Sequence, residues 1–110
     1  MKITEYDDRT EWTLNGKLHR KYGPAYEGAN GEKVWFLNGE QHREDGAAVE
    51  AVDGTKAWFL KDKKHREDGP AVEYADGSVE WWLNDQQVTE DIVSDPKKQF
   101  AWAMQIASAA

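Results

Sequence analysis

Tryptophan recurs at Trp12, Trp35, Trp58 and Trp81, a step of 23 residues each time. Leu14, Leu37, Leu60 and Leu83 keep the same step, as do His19, His42 and His65 and the arginines that follow them, Arg20, Arg43 and Arg66. Gly23, Gly46 and Gly69, Ala25, Ala48 and Ala71, Glu27, Glu50 and Glu73, and Gly31, Gly54 and Gly77 stay in phase, with nothing inserted or deleted. The unit reads W-x-L-N-G-x-x-H-R-x-x-G-P-A-x-E-x-x-x-G. An in-phase period of this length marks a repeat architecture, in which each unit buries its apolar face against its neighbours. The fourth copy keeps Trp81, Leu83 and Asn84 but has Val88 at the histidine position.

Two turns punctuate each unit. Asn15-Gly16 and Asn38-Gly39 follow an apolar run, and Asn-Gly favours the positive φ angles of a tight hairpin. Asp53-Gly54 and Asp76-Gly77 close the second and third units. The pieces between are too short for helices and too rich in glycine. Each unit is therefore expected to supply two main antiparallel strands, with a short third strand in the His-Arg-x-x-Gly loop. The fold class expected is mainly β: an elongated antiparallel meander of stacked β-hairpin repeats spanning residues 1–94. Alternation places Trp35 and Leu37 on one face and Phe36 on the other. Both faces then carry apolar groups, which calls for curling, a covering helix or a second molecule.

Residues 95–110 read differently. Asp95 before Pro96 is a helix-start signal. Phe100, Ala103, Met104 and Ala107 fall on one helical face, with Trp102 and Ile106 beside it. This short C-terminal helix is expected to cap the last hairpin, as arrays need atypical ends. The other reading is a partner-binding element.

The 23-residue period, the aromatic before Asn-Gly, the histidine three residues after that glycine and the closing Asp-Gly make residues 5–88 resemble MORN-type repeats. The likeness is greater to the divergent relatives of phage, bacterial and large-virus proteins. The resemblance implies β-hairpins arrayed in a single elongated sheet, and scaffold or lipid-headgroup-binding roles. The chain departs from the family pattern where Arg43-Glu44-Asp45-Gly46 replaces the small glycine pair after the histidine.

Charge narrows the function classes. The 110-residue chain carries a net charge of −7, which disfavours direct contact with nucleic acid or an anionic membrane. With no cysteine, thiolate zinc sites, disulfides and cysteine nucleophiles are excluded. The first residues lack the apolar run of a signal peptide, so a cytoplasmic protein is expected, in the host cytoplasm if phage-encoded. No HExxH, nucleophile elbow or phosphate-cradling glycine loop occurs, and Ser78, Ser94 and Ser108 fall in a turn, a cap position and the tail. A non-enzymatic protein without cofactor is expected.

Three sets of candidate residues remain. Exposed aromatics make interface hot spots, which nominates Phe36, Phe59, Trp82 and Trp102 for contact with a protein partner. Glu44, Asp45, Glu67 and Asp68 form an acidic surface that could imitate a nucleic-acid backbone in an inhibitor of a host nucleic-acid enzyme. Arg20, Arg43 and Arg66 could grip a phosphate or nucleotide, or pair with Glu27, Glu50 and Glu73 seven residues on as a ladder. The histidines are expected to stabilise loops rather than hold metal. Equivalent residues two strands apart lie roughly 9.5 Å from one another, too far to share an ion. The open first strand (residues 2–6 or 9–14) suggests a homodimer.

Overall fold

The computed structural model describes residues 1–109, so Ala110, the last residue of the expected helix, lies outside the described residues. β1 (Lys2–Glu5) and β2 (Arg9–Leu14) form the opening hairpin. β3 (Lys17–Leu18) and β4 (Tyr26–Gly28) complete the first repeat. The second supplies β5 (Lys33–Val34), β6 (Phe36–Leu37), β7 (Glu40–Gln41) and β8 (Val49–Glu50). Its counterparts in the third are β9 (Lys56–Ala57), β10 (Phe59–Leu60), β11 (Lys63–Lys64) and β12 (Val72–Glu73). The fourth ends with β13 (Val79–Leu83) and β14 (Gln86–Val88).

The expected mainly-β, antiparallel meander is the observed fold. One ten-stranded sheet runs β1-β2-β4-β5-β8-β9-β12-β13-β14, with β3 added on β2, and β6–β7 and β10–β11 form two small ribbons beside it. The molecule extends 47 × 33 × 19 Å. The short third strand lies before the His-Arg loop, at β7 and β11, and not within the loop as expected.

Alanine explains how sheet and ribbon join. At Trp35 and Trp58 the strand leaves the long sheet: Trp35 N–H donates to Ala48 O (2.8 Å), and Ala48 N–H donates onward to Ala57 O (2.9 Å). Trp58, Ala71 and Glu80 repeat this pattern at 2.8 and 2.8 Å. Ala25, Ala48 and Ala71, at these junctions, are fully buried. Val34, Ala47, Val72, Leu83 and Val93 are the other buried apolar residues of a narrow core.

A second seam joins the ribbons. Arg20, Arg43 and Arg66 N–H donate to the carbonyls of Phe36, Phe59 and Trp82 in the next repeat, at 3.1, 3.1 and 3.2 Å. Gly39, Asp62 and Asp85 N–H donate back to Leu18, Gln41 and Lys64 O, at 2.8, 2.9 and 2.8 Å. The positive φ values at Lys61-Asp62 (49° and 66°) match those at Asn38-Gly39 (52° and 81°), so the same mirror-image turn forms without glycine. Asp62 Oδ1 accepts from Gln41 N–H (2.6 Å) and Asp85 Oδ1 from Lys64 N–H (3.2 Å), so each turn aspartate is tied to the preceding repeat.

The ends differ from the middle. At the N-terminus β1 pairs Lys2 with Thr13, the position equivalent to Phe36, and so takes the place of a preceding repeat. At the C-terminus Ile92-Val93 stands where the third repeat has Gly69-Pro70. The loop becomes helix α1 (Glu90–Ser94), whose Val93 is buried, followed by α2 (Pro96–Ala109). Helical structure thus begins five residues earlier than the expected boundary at 95. Asp95 caps α2 as expected, its Oδ1 accepting from Lys97 N–H at 2.9 Å. Phe100 is 69% exposed and Met104 53%, so that stripe is only partly covered, with Phe100 and Ala103 lining a groove beside Leu83 of the last hairpin. Gln99 Nε2 donates to Glu67 O at 3.2 Å, and Val93 of α1 is buried. No helix among the described residues is long and apolar enough to cross a membrane.

Candidate interaction surface

The His-Arg loops stand side by side along one face, and a groove lies between each and the next. The first groove, of about 630 Å³, has Trp35 and Leu37 at its base, between Arg20–Gly23 on one wall and His42–Asp45 on the other. The second, of about 540 Å³, is the same structure one repeat on, with Trp58 and Leu60 between Arg43–Gly46 and His65–Asp68. In the third, of about 390 Å³, Leu83 lies between His65 and Glu67 on one side and Val93, Gln99 and Trp102 on the other. The terminal helices replace the missing fourth loop.

The histidines brace these loops. Nδ1 of His19, His42 and His65 accepts the N–H of Asn38, Lys61 and Asn84 in the following repeat, at 2.9, 3.0 and 2.9 Å. This bond places the ring proton on Nε2. His65 Nε2 then meets Glu67 Oε1 at 3.2 Å, and His42 Nε2 lies 3.5 Å from Glu44 Oε1. The same atoms serve as inter-repeat clips, and among the described residues no cluster of three or more His, Asp or Glu side chains converges as a metal site.

The arginines lie inside the loops. The Arg43 guanidinium stacks 3.9 Å from the Trp35 ring centre. Its Nε donates to Asp45 (3.1 Å), and Nη1 donates to Ala47 O (3.0 Å) and Glu50 (3.2 Å). Arg66 repeats the set on Trp58 (3.9 Å), with Asp68, Pro70 O and Glu73 all at 3.0 Å. The ladder to the glutamates seven residues on is present in all three repeats, loosest at Arg20–Glu27 (3.6 Å). A phosphate at Arg43 or Arg66 would have to displace two carboxylates. Gly46 and Gly69 permit the stack, because an added Cβ would fall 2.9 and 2.7 Å from the guanidinium carbon.

Of the expected site residues, the structure gathers Glu44, Asp45, Glu67, Asp68, Arg20, Arg43 and Arg66 onto the groove walls and Trp102 onto the third groove. Phe36, Phe59 and Trp82 are half-buried and line none of the three. Trp82 lies under Lys64 (4.5 Å) and donates from Nε1 to Glu80 at 2.9 Å. That bond and another from Tyr74 OH (2.9 Å) hold the Glu80 carboxyl below the usual carboxylate range, and the same contact pushes Tyr74 up. The sequence reading missed Lys21 and Tyr22 on the first groove and the role of Trp35, Trp58, Leu37 and Leu60 as groove bases. The signal for Tyr22 was available, since it breaks the column otherwise held by Asp45 and Asp68.

Comparison with protein-family models, with curated proteins and with solved structures returned no match.

Proposed function

We propose that the protein is a non-enzymatic protein–protein interaction module built on MORN-like repeats, in the manner of a phage protein that engages a host factor. The observation that supports this is the row of three shallow grooves, each with an apolar base and charged walls, on a hydrogen-bonded scaffold. Apolar centres ringed by polar groups suit a protein surface. The test is capture of a partner from the host's lysate, with folded variants compared by circular dichroism. Loss of capture on Leu60→Ala or Trp102→Ala, with binding retained at high salt, is the expected result. Loss only on Phe59→Ala and Trp82→Ala would move the interface off the grooves, and capture indifferent to all four would refute it.

A second reading has its own support. The side chains of Glu44, Asp45, Glu67 and Asp68 project into solvent in two sets one repeat apart, as an acidic inhibitor at an enzyme's nucleic-acid site would require. Binding that falls steeply with salt and disappears on charge reversal of those four would favour it. The free edge of β1, with Ile3 exposed, supports self-association into a homodimer; a monomeric mass in light scattering would refute that.

A further inference from the structure

We propose that the first groove is a recognition site for a carboxylate carried on an acidic side chain of the protein partner, held by Arg20 and Lys21. The inference rests on the protein-binding reading and deepens it.

The chain itself shows the recognition mode. In the second and third repeats, Nε of the stacked arginine donates to the aspartate two residues on, at 3.1 Å for Arg43–Asp45 and 3.0 Å for Arg66–Asp68. The first repeat keeps the ring stack and the carbonyl bond. Arg20 stacks on Trp12 at 4.1 Å, and its Nη1 donates to Pro24 O at 3.1 Å. At the aspartate position stands Tyr22, which is 83% exposed, and at the Glu44 position stands Lys21. Among the described residues Arg20 therefore has one carboxylate partner, Glu27 at 3.6 Å through Nη1, while Arg43 and Arg66 each have two.

One loop thus exchanges two negative charges for one positive charge and an exposed aromatic ring. Arg20 and Lys21 share a wall of the first groove, over Trp35 and Leu37. The guanidinium is pre-ordered by its stack, so little side-chain entropy is lost when a carboxylate reaches Nε. Tyr22 has the character of an interface anchor, with a rigid ring beside the charge. Glu44 and Asp45 on the facing wall repel a broadly acidic ligand. The site accordingly suits a single acidic side chain flanked by apolar residues.

The test is a titration of the intact protein followed by nuclear magnetic resonance of the three arginine Nε–H groups. The probes are acetyl-Leu-Asp-amide, its Asn counterpart and inorganic phosphate. The expected result is a saturable shift at Arg20 with the Asp peptide alone, while Arg43 and Arg66 stay still. Tyr22→Asp should restore the internal partner, raise the melting temperature by about 1–6 °C and suppress the Arg20 shift. A response to phosphate without one to the peptide overturns the protein source. Equal responses at all three arginines, or none at Arg20, overturn the site. A Tyr22→Asp variant with no gain in melting temperature overturns the equivalence with Asp45 and Asp68. Partner capture that survives while Arg20 stays silent refutes this inference alone and leaves the protein-binding reading standing.

Discussion

The second and third repeats each turn on one arginine that satisfies a ring face, two carboxylates and a carbonyl at once. Such a group is destabilising to remove, because its partners are left facing one another. Arg66→Ala is expected to cost about 2–4 kcal/mol in urea unfolding, combining a lost cation–π contact with lost charge-assisted hydrogen bonds. Gly69→Ala should cost about 1–3 kcal/mol, since Gly69 is buried against the guanidinium and the new methyl would push it off Trp58. Lys61 sits at φ 49°, where a residue other than glycine or asparagine is strained. Lys61→Asn keeps the backbone N–H that His42 accepts and should stabilise the protein by about 0.5–1 kcal/mol.

At the scale of the element, the ribbon seam between repeats combines arginine N–H to the next strand, turn N–H back, histidine to turn and, at the last two boundaries, a turn aspartate. The histidine bond, present at all three boundaries, is one that a side-chain change can remove. His65→Ala would leave the Asn84 N–H without its acceptor and should cost about 1–2 kcal/mol. Hydrogen exchange should speed at Asn84 and Asp85 while protection at Val34 and Val49 is kept, because arrays couple nearest neighbours. Uniform loss of protection across all repeats would contradict that description.

Taken whole, the molecule is a thin body with a narrow core, so stability depends on many partly exposed polar bonds. The carboxylates of Glu80, Asp53, Asp76 and Asp91 are all held below their usual range by hydrogen bonds: from Trp82 and Tyr74, from Thr55, from Ser78 and from Thr89. A folded-state pKa below the unfolded one gives stability that is complete above the unfolded value. It is lost as pH falls through the folded value. The melting temperature should therefore hold from pH 7 to about 5 and fall steadily below about 4.5. Glu80→Gln should reduce the slope of that fall, and an unchanged slope would show that Glu80 takes no part.

The strict 23-residue step, the Asn-Gly and Asp-Gly turns and the Asp95-Pro96 start were enough to determine the meander, the unit boundaries and a C-terminal helix. Each rests on local backbone preference, and a repeat multiplies a local preference until it governs the whole chain. The Arg–Glu ladder was legible for the same reason, being set by seven residues within one loop. Which groups share a surface was not legible. Trp35 and Leu37 meet the loop of the neighbouring repeat only because the strand leaves the sheet at the alanine, a path that depends on how three backbones pack. The aromatics nominated from exposure, Phe36, Phe59 and Trp82, went to the other side of that bend. The apolar stripe of α2 is likewise periodic in sequence, yet its seating depends on where α1 begins. That in turn follows from Ile92-Val93 replacing Gly69-Pro70, a local change whose consequence is tertiary. Periodicity sets what each residue does within its unit; packing between units decides which residues face a partner together.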